Sequence, residues 1–121
     1  MTMITATILG TPDDTLATDV ARIVHDHAVT WLHERANQVV VRVTFAAPTE
    51  RWYFDGVPLD PVASPTFHVL AAIGKDVAEI NVANFVVNTR NDLKQPMRVA
   101  YPGTDYPDLP DRNNVAVVTM P

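Results

Sequence analysis

Arg42 sits inside a seven-residue run, Val39-Val40-Val41-Arg42-Val43-Thr44-Phe45, that is otherwise apolar or β-branched. So short an apolar run suits a strand covered on both faces, and a guanidinium cannot escape burial by losing its proton. Inside such a strand it must meet a carboxylate, a carbonyl or a bound anion. At an edge, by contrast, the same arginine meets only solvent. Immediately downstream stand Trp52, Tyr53 and Phe54, followed by Asp55-Gly56. That dipeptide suits the two positive φ values of a tight hairpin turn, and three aromatics on a hairpin can exclude water from a site, fill a core or cover a subunit seam.

The histidines offer less. His27 falls on an apolar helical stripe, where a histidine satisfied by core hydrogen bonds is the ordinary reading and a ligand-binding one the sharper alternative. His25 lies across the helix from it, so the two do not form a metal pair, and no metal or other cofactor is expected. His68 alternates with apolar residues, and Lys75 follows a strand-ending Gly74. Absence of cysteine removes thiol catalysis, disulfides and cysteine-ligated zinc. No serine occupies a nucleophile elbow, and no glycine-rich loop opens a helix.

The chain that positions these groups has 121 residues, enough for one domain with a fair core. Net charge is −5, and the nine lysines and arginines are scattered singly. A nucleic-acid binder needs a basic face, so that partner is not expected. Residues 1–10 hold no basic leader, and no apolar stretch approaches the roughly 20 residues of a membrane helix, which leads us to expect a cytoplasmic protein.

Thr2 to Leu9 alternates as a strand, ended by Gly10. Thr11 as N-cap, Pro12 at the first helical position and Asp13-Asp14 then predict a helix whose stripe of Leu16, Val20, Ile23, Val24, His27 and Trp31 runs to about His33. After the Arg42 strand and the aromatic hairpin, Thr66 to Ile73 reads as another strand. The capping-box spacing of Asp76 and Glu79 predicts a second helix from Asp76, ending before Pro96. Its asparagines leave a strand at Phe85-Val86-Val87 as an alternative. A proline- and aspartate-rich loop, 101–112, precedes a last strand from Asn114 to Met120. The halves echo each other: Leu9-Gly10 answers Ile73-Gly74, and Val41 to Pro48 answers Asn114 to Pro121, with Arg42 opposite Val115. Two pseudo-repeated β-α-β units, about 1–60 and 65–121, account for the echo. The fold class expected is α+β, a four-stranded mixed sheet with two helices on one face and a short hairpin.

These features resemble the tautomerase superfamily, the 4-oxalocrotonate tautomerase and MIF-like proteins, in its fused double β-α-β form. The resemblance rests on the strand Thr2 to Gly10, the capped helix from Thr11, Val41-Arg42-Val43, and Pro48 through Gly56 as a hairpin tail. It implies a homotrimer and an isomerase, lyase or hydratase acting on small carboxylate-bearing 2-oxo, enol or unsaturated acids. The family's catalyst is an amino-terminal proline amine. Carried onto this chain, Thr2 takes that proline's place, Arg42 the carboxylate-binding arginine's and Trp52 the hairpin aromatic's; His27 and Lys75 stand near further substrate-binding positions of longer relatives. Thr2 is not proline, and Thr11 or Pro12 stands where the family has an arginine after its first strand. A chain-terminal primary amine, titrating at roughly 7.7–8.0, can still carry a proton at working pH. The alternatives are a tautomerase-fold binding or partner subunit without chemistry, and a ferredoxin-like dimer with a ligand pocket between sheet and helices.

Overall fold

The computed structural model describes residues 2–102 and 114–120. Strand β1 (Thr2–Leu9) leads to helix α1 (Asp14–Trp31), a short 3-10 turn (Ala36–Gln38), strand β2 (Val39–Phe45) and a hairpin of β3 (Tyr53–Phe54) and β4 (Val57–Pro58). Strand β5 (Thr66–Ile73), helix α2 (Glu79–Ala100) and strand β6 (Asn114–Thr119) complete the chain. The main sheet runs β2-β1-β5-β6. Its outer pairs are parallel and its central pair, β1 with β5, antiparallel. Each parallel pair is bridged by one helix, so two β-α-β units meet back to back at the centre. The four-stranded mixed sheet, two helices and separate hairpin are those expected from the sequence.

Strict alternation in β1 divides the sheet into two unlike faces. Ile4, Ala6 and Ile8 are fully buried under the helices, joined by Val69, Ala71 and Ile73 of β5 and Val115 of β6. From α1 come Leu16, Val20, Val24 and Ala28, and from α2 Phe85, Leu93 and Met97. The other face has no helix over it. There Met3, Val40, Leu70 and Val118 remain exposed.

Several boundaries differ from expectation, each for a local reason. The cap of α1 is Asp13 rather than Thr11: its carboxylate accepts from the Leu16 amide at 2.9 Å. An ionised cap answers both the free amide and the positive helix end. Thr11 stays in the preceding turn, where its carbonyl accepts from the Tyr101 hydroxyl at 2.6 Å. Helix α2 begins at Glu79 without a side-chain cap, three residues after Asp76. It continues past Pro96 to Ala100. Proline gives up its own N–H bond and crowds the carbonyl one turn earlier, yet fully buried Met97, whose carbonyl accepts from the Tyr101 amide, holds the last turn in place. Residues 85–87 are helical, because Phe85, Thr89, Leu93 and Met97 recur every four residues on the buried side. Strand β2 is an edge strand, covered on one face only. Most of the expected 101–112 loop lies outside the described residues.

Asp55 and Gly56 adopt φ of 53° and 74°, the turn expected of that dipeptide. Among the described residues, no helix is long and apolar enough to cross a membrane.

Candidate functional site

Register fixes where each candidate can reach. Thr2 pairs with Val39 and Thr5 with Arg42, so Thr2 and Arg42 are separated by an odd number of strand positions. Their side chains therefore point to opposite faces of the sheet. Burial agrees: Thr2 is 1% exposed on the helix side, while Arg42 is solvent-exposed on the uncovered side. An exposed guanidinium on an edge strand owes nothing to desolvation, so the burial argument for an anion at Arg42 does not apply within one chain.

Thr2 shares a cavity with Lys75 instead. The start of β1, the residues before β2 and the turn after β5 converge at one end of the sheet. There Thr2, Glu34, Gly74 and Lys75 line a cavity of about 180 Å³. His33, at the end of α1, takes a left-handed φ of 55°, and its carbonyl accepts from Lys75 Nζ at 2.8 Å. Glu34 Oε1 lies 3.8 Å from the same Nζ, with its side chain only 10% exposed. Asn81 of α2 reaches His33 Nε2 at 3.0 Å. An ammonium has three donors. One is spent on His33, and the Glu34 contact is an ion pair too long for a hydrogen bond, which leaves donors for a bound anion. Neither Glu34 nor His33 was singled out in the sequence; the left-handed turn that brings them to Lys75 has no signature there, because a histidine at φ above zero is uncommon.

His27 lies elsewhere. Its Nε2 is 2.6 Å from Asp92 Oδ2 of α2, and its Nδ1 accepts from Trp31 Nε1 at 3.2 Å. Indole can only donate, so Nε2 carries the proton given to Asp92. Both nitrogens are thus used, Nε2 in joining α1 to α2 and Nδ1 within α1, on the side of the sheet away from Arg42. Nearby, His25 spans Asp26 Oδ1 and the Ala36 carbonyl. Both partners accept, and only the cation can donate to both, so the Ala36 bond first and the Asp26 bond second raise its pKa above the ordinary 6.5.

Trp52 lies toward the opposite end from Thr2. It borders a cavity of about 560 Å³ whose floor is Thr44, Thr7 and His68, one cross-strand row on the uncovered face. Five residues of extended strand, about 17 Å, separate that row from Thr2. Trp52 Nε1 donates to Glu50 Oε2. The structure thus brings Thr2 and Lys75 together, and sets Arg42, Trp52 and His27 apart from them within one chain. Among the described residues, no three histidine, aspartate or glutamate side chains converge to hold a metal ion.

No protein-family model matches this chain, and no curated protein matches it in sequence. Solved structures do. MIF2 of Leishmania major superposes with a TM-score of 0.68 at 11% identity, over 99% of this chain and 89% of its own. Pt0534 inactivated by 2-oxo-3-pentynoate gives 0.70 at 11%, over 99% and 85%. A fused 4-OT crystallised as an asymmetric trimer gives 0.73 at 11%, over 98% and 86%. The fold of this chain is the tautomerase, MIF-like fold.

Proposed function

We propose that this chain is a tautomerase-like isomerase, or a related lyase, acting on a small carboxylate-bearing 2-oxo or enol acid. The proton carrier is the amine of the first residue, on Met1 or, after its removal, on Thr2. The observation that carries the reading is the cavity in which Thr2, where β1 begins, lies beside Lys75 and Glu34. Lys75 holds the substrate carboxylate, and Glu34 and the His33 carbonyl hold Lys75. The amine takes the hydroxyl proton of the enol and a proton is returned to the neighbouring carbon; the O–H bond breaks and a C–H bond forms, C=C becomes C–C and C–O becomes C=O, and no atom is gained or lost. The substrate class draws support from Pt0534, which a 2-oxo acid inactivates.

In this reading the protein works as a homotrimer, as a fused 4-OT does. The uncovered face, with Met3, Val40, Leu70 and Val118 exposed, is the surface the assembly buries. Arg42, on that face of the edge strand, reaches the amine of a neighbouring copy.

The test is ketonisation of phenylpyruvate and of 2-hydroxymuconate, followed by absorbance. A rate above buffer that falls about 10²-fold in Lys75→Ala supports the reading, that being the usual loss for one charge-stabilising donor. A rate equal to buffer refutes it. One observation favours a second reading, a binding subunit of the same fold without chemistry: Thr2 stands where the family has its proline, and Arg42 is on the other face of its own sheet. Binding of phenylpyruvate without turnover would select it.

A further inference from the structure

The cavity that the proton-transfer reading assigns to an acid already holds a carboxylate, that of Glu34. Its side chain is only 10% exposed, and the segment that carries it is tied on both sides. The Glu34 amide donates to the Ala28 carbonyl at 3.4 Å, closing α1 through the left-handed His33. Before it, the His33 carbonyl accepts from Lys75 Nζ at 2.8 Å, and Asn81 of α2 meets the His33 ring at 3.0 Å. Beyond it, the Ala36 carbonyl accepts from His25 Nε2 at 3.0 Å. Bonds to α1, α2 and the turn after β5 thus keep this carboxylate beside Lys75 and Thr2.

Charge decides what such a site admits. Lys75 and Glu34 are the ionising side chains of the lining, and a terminal amine acting as a base is neutral when substrate enters. In the proposed assembly Arg42 of a neighbouring copy adds a second cation. Two cations less one carboxylate leave one positive charge, the complement of a single substrate carboxylate. Size sharpens the choice, because a cavity of about 180 Å³ is well below the roughly 300–1,000 Å³ of drug-sized pockets. A small diacid anchored on Lys75 keeps its second carboxylate within a screening length of Glu34, about 8 Å at physiological salt, so the repulsion survives. Like charges set against each other reject the wrong partner more effectively than a lost contact does.

We propose that Glu34 is the specificity-determining residue of this site, admitting monocarboxylates and rejecting dicarboxylates. The proposal rests on the preceding reading in one respect, that Lys75 anchors the substrate carboxylate.

Succinamate and succinate share size and shape and differ by one charge at neutral pH. Each is titrated calorimetrically into the full-length protein in its native assembly, and kcat/KM is measured for phenylpyruvate, a monoacid, and 2-hydroxymuconate, a diacid. The parent should bind succinamate at least about tenfold more tightly than succinate. Glu34→Gln should erase or reverse that preference and shift the kcat/KM ratio about tenfold toward 2-hydroxymuconate. Glu34→Asp keeps the charge and should keep the preference, whereas a merely structural role would weaken both acids alike in either variant. Lys75→Ala should weaken both acids. Saturable binding of neither acid, equal binding of the two by the parent, an unchanged preference in Glu34→Gln or unchanged binding in Lys75→Ala would each overturn the proposal. Ketonisation of phenylpyruvate at the buffer rate with succinamate still preferred would remove the chemistry and leave the selection; turnover without selection would do the reverse.

Discussion

Lys75 Nζ donates to the His33 carbonyl at 2.8 Å, although 42 residues separate them. The bond ties the turn after β5 to the end of α1 and leaves the ammonium beside Thr2, with Glu34 as its counter-ion. A cation fixed by backbone at the place where the chain enters the sheet is what gives the proposed proton transfer an anchor for an acid.

If Lys75 acts through its charge, Lys75→Arg should keep a substantial part of the activity and Lys75→Met should lose about 10²-fold in kcat/KM. Steady-state kinetics on phenylpyruvate check this. Equal losses in both variants would show that placement of the ammonium, rather than its charge, matters. Thermal unfolding of both should stay close to that of the parent, because the side chain is 46% exposed.

Gly10 marks a close approach. A Cβ there would come within 2.7 Å of the Tyr101 ring, which its hydroxyl pins to the Thr11 carbonyl. Gly10→Ala should destabilise by about 1–3 kcal/mol, the usual cost of overpacking. Adding Tyr101→Phe should reduce the penalty, since the freed ring can move. Urea titration of the single and double variants measures both.

Thr89 is fully buried on α2, and its Oγ1 finds no partner among the described residues. Replacing it by isosteric Val removes an unpaired hydroxyl at little cost in shape. We expect Thr89→Val to raise stability by about 1 kcal/mol, seen as a higher urea midpoint at unchanged slope.

Stability should respond to pH at two places. His25 is raised in the fold, so its contribution is fully present below 6.5 and is lost as pH rises through the folded value. His25→Ala should flatten that part of the profile. Tyr101 is pushed up to about 12, first by burial and then by the Asp13 charge. The folded state therefore holds its proton more tightly than the unfolded chain, and the stability this represents is present below 10 and declines between 10 and about 12. Tyr101→Phe should remove the alkaline decline.

Much of this architecture was legible in the residues. Alternation marked β1 and β5 to the residue, and Asp55-Gly56 marked the hairpin, because those signals are local. Helix ends were harder: Asp13 outcompetes Thr11 as cap, and burial of Met97 carries α2 through Pro96, which depends on packing a sequence does not display. The surroundings of Arg42 stayed open for a related reason. A β-branched run looks the same on an edge strand as in the middle of a sheet, and only strand order tells them apart. Likewise the shared cavity of Lys75 and Thr2 arises from β5 lying antiparallel beside β1, where Met3 pairs with Ala72.

The central claim is that the amine of the first residue is the reacting group, and mapping a covalent adduct tests it most directly. 2-Oxo-3-pentynoate carries both a carboxylate for Lys75 and an alkynone that an amine can add to. After incubation at neutral pH, digestion and mass spectrometry, we predict one adduct per chain on the amino-terminal peptide, at the α-amine, with loss of activity in step and slower labelling in Lys75→Ala. An adduct on the Lys75 side chain, or an unmodified amino-terminal peptide, would contradict the account.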